Sequence, residues 1–113
     1  MIRFLSIFSR EELDEILNKR RLLIMYCNQK MSCTFYQYQN REIILVFPEL
    51  YDRMLSAQYQ QAYAVLAHEF GHVFHKHSQK SISPLRAQLE ADHFVGRHGL
   101  AEDLMQVLRV EGA

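Results

Sequence analysis

The sequence predicts an α+β fold: a small three-stranded, mostly antiparallel sheet packed against a long central helix, with further helices completing the core. Two observations carry this reading. The β-favouring runs fall together between residues 22 and 47, and helical patterns flank that block instead of alternating with it. Length sets the third constraint. At 113 residues the chain is sized for one domain, so residues 1–113 are read as a single unit around one core.

Composition narrows the class. Hydrophobic residues make up 49% and charged residues 23%, which is globular and not disordered. Lys+Arg and Asp+Glu each number 13, and a zero net charge gives no reason to expect direct nucleic-acid binding or an anionic membrane partner. No stretch approaches the roughly 18 apolar residues a spanning helix needs. Residues 1–8 are apolar but run into a charged segment, without a long apolar core or a small-residue cleavage site. A signal peptide is therefore not expected, and a cytoplasmic location is. Cys27 and Cys33 read as two reduced thiols, with a cross-strand disulfide as the lesser alternative.

Each element has its own signal. Ser9-Arg10-Glu11-Glu12 is a capping box, with Leu13, Ile16 and Leu17 following at helical spacing. Lys19-Arg20-Arg21 closes that helix where cations suit its negative end. Leu22 to Cys27 is a short apolar strand, and Asn28-Gln29-Lys30 a turn. Ser32 to Tyr38 has a β-favouring composition, and Gln39-Asn40 turns again. Arg41 to Phe47 is the strongest strand, and its unbroken apolar run predicts cover on both faces. Pro48 stops it. Glu49 to Leu55 reads as a short helix, and Ser56 as the N-cap of a long helix from about Ala57 to His77. In the long helix Tyr63, Leu66, Ala67, Phe70, Val73 and Phe74 form a core stripe. After a polar loop, Ser83-Pro84 restarts helix to about Arg97, serine as N-cap and proline at the first turn. Leu100 to Val110 is a last amphipathic helix, with Leu104, Met105 and Leu108 as its buried edge.

The long helix carries His68-Glu69-Phe70-Gly71-His72, an H-E-x-x-H pattern. Residues four apart share a helix face, so His68 and His72 can direct two imidazoles at one ion. Glu69 lies about 100° round the helix, within reach of a water on that ion. Zinc chemistry needs this set: two neutral nitrogens, a third protein ligand and an open fourth position, with a carboxylate to take the water's proton. The expected cofactor is therefore Zn2+ and the expected class a small zinc metallopeptidase. Gly71 costs about 1 kcal/mol relative to Ala in a helix, and its inferred use is to let another backbone approach closely.

The third ligand is sought on the next helix. There Gln88, Ala91, Asp92 and Val95 share a face, while Glu90 lies about 200° from Asp92. Asp92 is placed near the metal, as ligand or as partner to a ligating histidine. Glu90 follows closely if the helix is rotated, and Gln88 could coordinate through its amide oxygen. His75 shares the site face but reads as a structural or surface residue and not as a ligand, and His77 and His93 read as solvated. His98, between two glycines at a helix end, could stabilise an oxyanion. Tyr36, Tyr38, Tyr51 and Tyr59 are core-edge or surface residues, any of which could polarise a carbonyl.

Leu66-Ala67-His68-Glu69-Phe70-Gly71-His72-Val73-Phe74-His75 resembles the LAHELGHxxxH stretch of the ImmA/IrrE family of small gluzincin-type metallopeptidases. Ile43-Ile44-Leu45-Val46 resembles the edge strand ahead of that family's metal helix. Leu89-Glu90-Ala91-Asp92-His93-Phe94 resembles its downstream acidic helix. The resemblance covers roughly residues 22 to 97. Membrane-bound heat-shock and CAAX-processing gluzincins share the acidic helix, but their transmembrane segments have no counterpart in this sequence. The resemblance implies a zincin or minigluzincin-like fold, and a regulatory protease of phage or mobile-element type acting on a protein such as a helix-turn-helix repressor. It also implies a glutamate ligand at the position held here by Gln88, a departure that motivates the alternative of an inactive protein-binding module.

Overall fold

The computed structural model describes residues 1–26, 33–38, 41–77 and 81–112. The fold is α+β, with a three-stranded sheet among several helices. The turns expected at 28–30 and 39–40, Cys27, the Cys33 side chain, and the rings of Tyr36 and Tyr38 lie outside the described residues and side chains.

Two short helices, α1 (Ile2–Leu5) and α2 (Arg10–Leu13), open the chain. Helix α1 has no counterpart among the sequence expectations. It exists because its apolar residues are buried: Phe4 is fully enclosed and Phe8 nearly so. Phe4 packs edge-on against Phe70, and Phe8 stacks between Phe70 and Phe94. Helix α2 begins with the expected capping box, the Ser9 side chain accepting from the Glu12 amide while Glu12 accepts from the Ser9 amide. It continues as a π-helical segment, Asp14–Lys19, and stops at Arg21 with φ +54°.

The sheet comprises β1 (Leu23–Tyr26), β2 (Cys33–Tyr38) and β3 (Arg41–Val46) in the order β1-β3-β2. β2 and β3 pair antiparallel, from Cys33 opposite Val46 to Tyr38 opposite Arg41. β1 pairs parallel with β3, Leu23 opposite Ile43. The mostly antiparallel expectation is thus corrected to a mixed sheet. Ile43-Ile44-Leu45-Val46 is also the central strand and not an edge. Ile43, Ile44 and Val46 are all buried, so both faces of the strand are covered as expected, and its two edges are paired as well.

Helix α3 (Pro48–Met54) starts with proline in its first turn. Helix α4 (Tyr59–Phe74) starts later than expected. Ser56 does not cap it; its hydroxyl donates to the Arg53 carbonyl and accepts from the Gln58 amide, closing the loop after α3. The α4 stripe Tyr63, Leu66, Ala67, Phe70 and Val73 is buried as expected, and Phe74, at its end, is partly buried. Helix α5 (Pro84–Arg97) has Ser83 as its N-cap, accepting from the Arg86 amide. In helix α6 (Ala101–Gly112) the buried edge is Leu104 and Val107; Met105 and Leu108 are exposed, which corrects their core assignment. Among the described residues, no helix is long and apolar enough to cross a membrane.

Helices α4 and α5 pack unusually close at Gly71. A Cβ there would meet the Ala91 Cα at 3.1 Å and the Ala91 carbonyl oxygen at 3.2 Å. The missing side chain brings the face of α5 bearing Gln88 and Asp92 against the face of α4 bearing the two histidines.

Candidate metal centre

The two variable positions of the motif, Phe70 and Gly71, both face inward, Phe70 into the aromatic core and Gly71 against α5. Helical periodicity then fixes where the other three point. His68 and His72 turn their Nε2 atoms toward one another, 3.2 Å apart. Gln88 of α5 reaches the same spot, its Oε1 2.6 Å from His68 Nε2. Glu69 lies half-buried beside them, in a cleft of about 340 Å³ whose apolar wall is Val65, Leu104, Val107 and Leu108.

The far side of each imidazole also has a neighbour. Asp92 Oδ1 lies 2.8 Å from His68 Nδ1. The distance suits an ion pair, but the buried Nδ1 has no well-directed hydrogen bond. His72 Nδ1 is 2.8 Å from His77 Nδ1, and His77 Nε2 is 2.6 Å from Glu90 Oε1. The structure thus brings His68, Glu69, His72, Gln88 and Asp92 to one cleft and places Glu90 behind His77. Among the described residues, no three His, Cys, Asp or Glu side chains form a group able to hold a metal. The convergent third donor is an amide.

The titration pattern follows this packing. Burial, followed by repulsion from His68 and His77, pushes the His72 imidazole down to about 4, against a hydrogen bond accepted by Gln88, which favours the charged ring. Burial pushes the Glu69 carboxyl above its ordinary value, opposed by its attraction to His68. A neutral imidazole and a carboxyl with a raised pKa are the forms that suit a nitrogen ligand and a general acid–base.

The remaining expectations divide. His77 is buried, its side chain 4% exposed, which corrects its reading as solvated. Helix α4 ends at Phe74, and Lys76 adopts φ +60°, turning His77 back beside His72. No periodicity argument could have found this, because the turn lies past the helix end. His75 stacks on the His77 ring, and His93 is exposed. His98 lies apart from the cleft: its Nε2 meets Glu12 Oε1 at 2.9 Å and its Nδ1 the Phe94 carbonyl at 2.8 Å. Tyr51 and Tyr59 line a separate pocket with Arg3 and Met54.

Comparison with known proteins agrees with the motif at the level of class. Neither the curated proteins nor the solved structures include a match. The family model that matches covers residues 34–107, which takes in β2, β3, the H-E-x-x-H helix and the acidic helix. It describes a peptidase family other than ImmA/IrrE, to which the motifs were likened, and it spans more than half of the chain. The chain belongs to peptidase family M48.

Proposed function

We propose that this chain is a zinc-dependent peptide hydrolase in which His68 and His72 are the nitrogen ligands and the Gln88 amide oxygen is the third protein donor. The supporting observation is the convergence of His68 Nε2, His72 Nε2 and Gln88 Oε1. With a carboxylate beside its Nδ1, a neutral His68 carries its proton there and leaves Nε2 as a lone pair. Three acceptor atoms then face one point, which a cation resolves. Two ligands of a tetrahedral zinc, at bonds of about 2.0–2.1 Å, stand about 3.3 Å apart. The 3.2 Å between the two Nε2 atoms fits that spacing, whereas Gln88 Oε1, 2.6 Å from His68 Nε2, must draw back by about 0.7 Å to serve as a ligand. A neutral amide is a weaker third donor than the carboxylate implied by the family resemblance, so the site fits zinc with reduced affinity.

When bound, zinc would polarise the scissile carbonyl and lower the pKa of water. The chain's own residues do the rest. Glu69 takes a proton from the attacking water and delivers it to the leaving amine, a task its raised pKa suits. Asp92 orients His68 from behind instead of ligating, and Glu90 acts through His77. β2 is an outer strand of the sheet in contact with α4, and addition of an extended peptide along it is the proposed mode of backbone recognition. The proposed substrate is a protein, with a helix-turn-helix repressor as the first to test; no direct nucleic-acid contact is proposed. Residues 1–113 would act as one domain.

The test is zinc content after reconstitution, together with hydrolysis of a mixed peptide set by wild type and Glu69→Gln. Expected are near-stoichiometric zinc in both and hydrolysis only in wild type. Zinc-free protein under replete conditions would overturn the reading. A second reading, a non-catalytic binding module on the same fold, is favoured by the uncharged donor Gln88. It would show as partner binding unchanged in Glu69→Gln, with no hydrolysis by wild type.

A further inference from the structure

We propose that His77 is a positioning residue for His72: held by Glu90, it accepts the Nδ1 proton of His72 and keeps the Nε2 lone pair of His72 aimed at the cleft. The inference rests on the metal-site reading above, and names a residue that the H-E-x-x-H pattern does not contain. Three observations carry it. The contacts are continuous, His72 Nδ1 to His77 Nδ1 at 2.8 Å and His77 Nε2 to Glu90 Oε1 at 2.6 Å. The His77 side chain is 4% exposed, so water competes little for its nitrogens. The backbone is bent to place it there, with Lys76 at φ +60°. A non-glycine residue in that conformation costs about 1–2 kcal/mol, which the surrounding contacts must offset.

The proton positions follow in order. The Glu90 carboxylate only accepts, so His77 donates to it from Nε2. A neutral His77 then has a bare Nδ1, which must accept from the Nδ1–H of His72. His72 Nε2, which stands 3.2 Å from His68 Nε2 at the cleft, is left unprotonated. The two carboxylates of α5 thus govern the two imidazoles of α4 by different routes, Asp92 beside His68 and Glu90 through an interposed ring. Without a partner, imidazole favours the opposite tautomer, with the proton on Nε2, where it would block the cleft.

The test uses the full chain at pH 8, free of metal. The ¹⁵N shifts of the His72 ring are read in wild type, His77→Gln, His77→Phe and Glu90→Ala, and zinc affinity is then measured by chelator competition. Wild type is expected to hold His72 as the Nδ1–H tautomer. His77→Gln, whose amide oxygen can accept that proton, should retain it. His77→Phe should shift His72 toward Nε2–H and weaken zinc binding by roughly 10–100-fold, the range for a lost supporting partner. Glu90→Ala, at a partly exposed position, should shift it in the same direction and serves if His77→Phe fails to fold. An unchanged tautomer in Glu90→Ala, or equal shifts in the Gln and Phe variants, would overturn the proposal. The tautomer is read without metal, so wild type that holds Nδ1–H yet binds no zinc supports the positioning role while refuting the metal centre.

Discussion

Gly71 of α4 lies against Ala91 of α5 with too little room for a methyl unless α5 gives by a few tenths of an ångström: an added Cβ would stand 3.1 Å from the Ala91 Cα and 3.1 Å from the Phe94 Cβ. The neighbours are a backbone and a fully buried side chain, so the clash is relieved only by moving α5. Gly71→Ala gains about 1 kcal/mol of helix propensity and loses about 1–3 kcal/mol to overpacking. The expected result is a small net loss of stability, growing in Gly71→Val, measured by urea denaturation of the metal-free protein. Moving α5 also withdraws Gln88 and Asp92, so zinc affinity should fall in the same order.

The donor set makes its own prediction. Gln88→Glu replaces a neutral donor by an anion at the point where His68 and His72 converge, so zinc affinity should rise. Asp92→Ala leaves His68 Nδ1 without its carboxylate and should lower affinity by roughly 10–100-fold. Chelator competition on both variants checks the pair. A Gln88→Glu protein binding no tighter than wild type would show that the α5 donor does not reach the ion.

Stability of the metal-free protein should depend on acid through His72. Its folded pKa lies near 4, below the ordinary 6.5, so the unfolded chain takes up the proton first. No penalty exists above about pH 6.5; it grows as pH falls and is complete below about 4. Allowing for solvent screening, the loss is on the order of 1–2 kcal/mol. Glu69, with its raised pKa, acts oppositely, favouring the fold as pH falls toward its ordinary value. His72→Asn should therefore flatten the decline in urea midpoint between pH 6.5 and 4, and Glu69→Gln should steepen it.

Away from the cleft, Glu12 joins the capping box to the C-terminal end of α5. It accepts from the Ser9 amide and meets His98 Nε2 at 2.9 Å. Burial raises its pKa, but the Ser9 amide and His98 together lower it further. Its contribution is present above the ordinary carboxylate value and lost as pH falls through the lowered one. Glu12→Ala removes one side of the cap and leaves His98 buried without its acceptor. About 1–3 kcal/mol of lost stability is expected by thermal denaturation, with the zinc affinity of the remaining folded protein unchanged.

How much of this was legible beforehand depends on the range of the interaction concerned. The capping box at Ser9, the N-cap at Ser83 and the buried stripe of α4 were readable, because each depends on residues within a few turns of one another; the close approach at Gly71 was readable only as a gap, and its partner Ala91 lies on another helix. The packing of α5 against α4 was readable because the short connection between them favours neighbouring helices. Strand order was not readable: a run of β-branched residues shows that β3 is covered on both faces, but not which strands cover its edges. The expected family was likewise drawn from short motifs shared among gluzincins, which fix the chemistry more firmly than the lineage. His77 was misplaced because one left-handed residue, Lys76, reverses the direction that helical continuation predicts. The edge of α6 was misassigned for a different reason. Met105 and Leu108 are apolar yet exposed, and Leu108 borders the cleft, where a peptide side chain can use it.

The strand order also dictates when the sheet can close. β2 and β3 are neighbours in sequence and can zip as soon as they meet, whereas β1 must wait for the whole of that hairpin before its partner exists. Pairing of β1 should thus come after the rate-limiting step. Ile24→Ala is expected to speed unfolding while leaving the refolding rate nearly constant, and Ile44→Val to slow refolding. A stopped-flow chevron in which Ile24→Ala slows refolding as much as Ile44→Val would mean that the parallel pair forms with the hairpin and not after it.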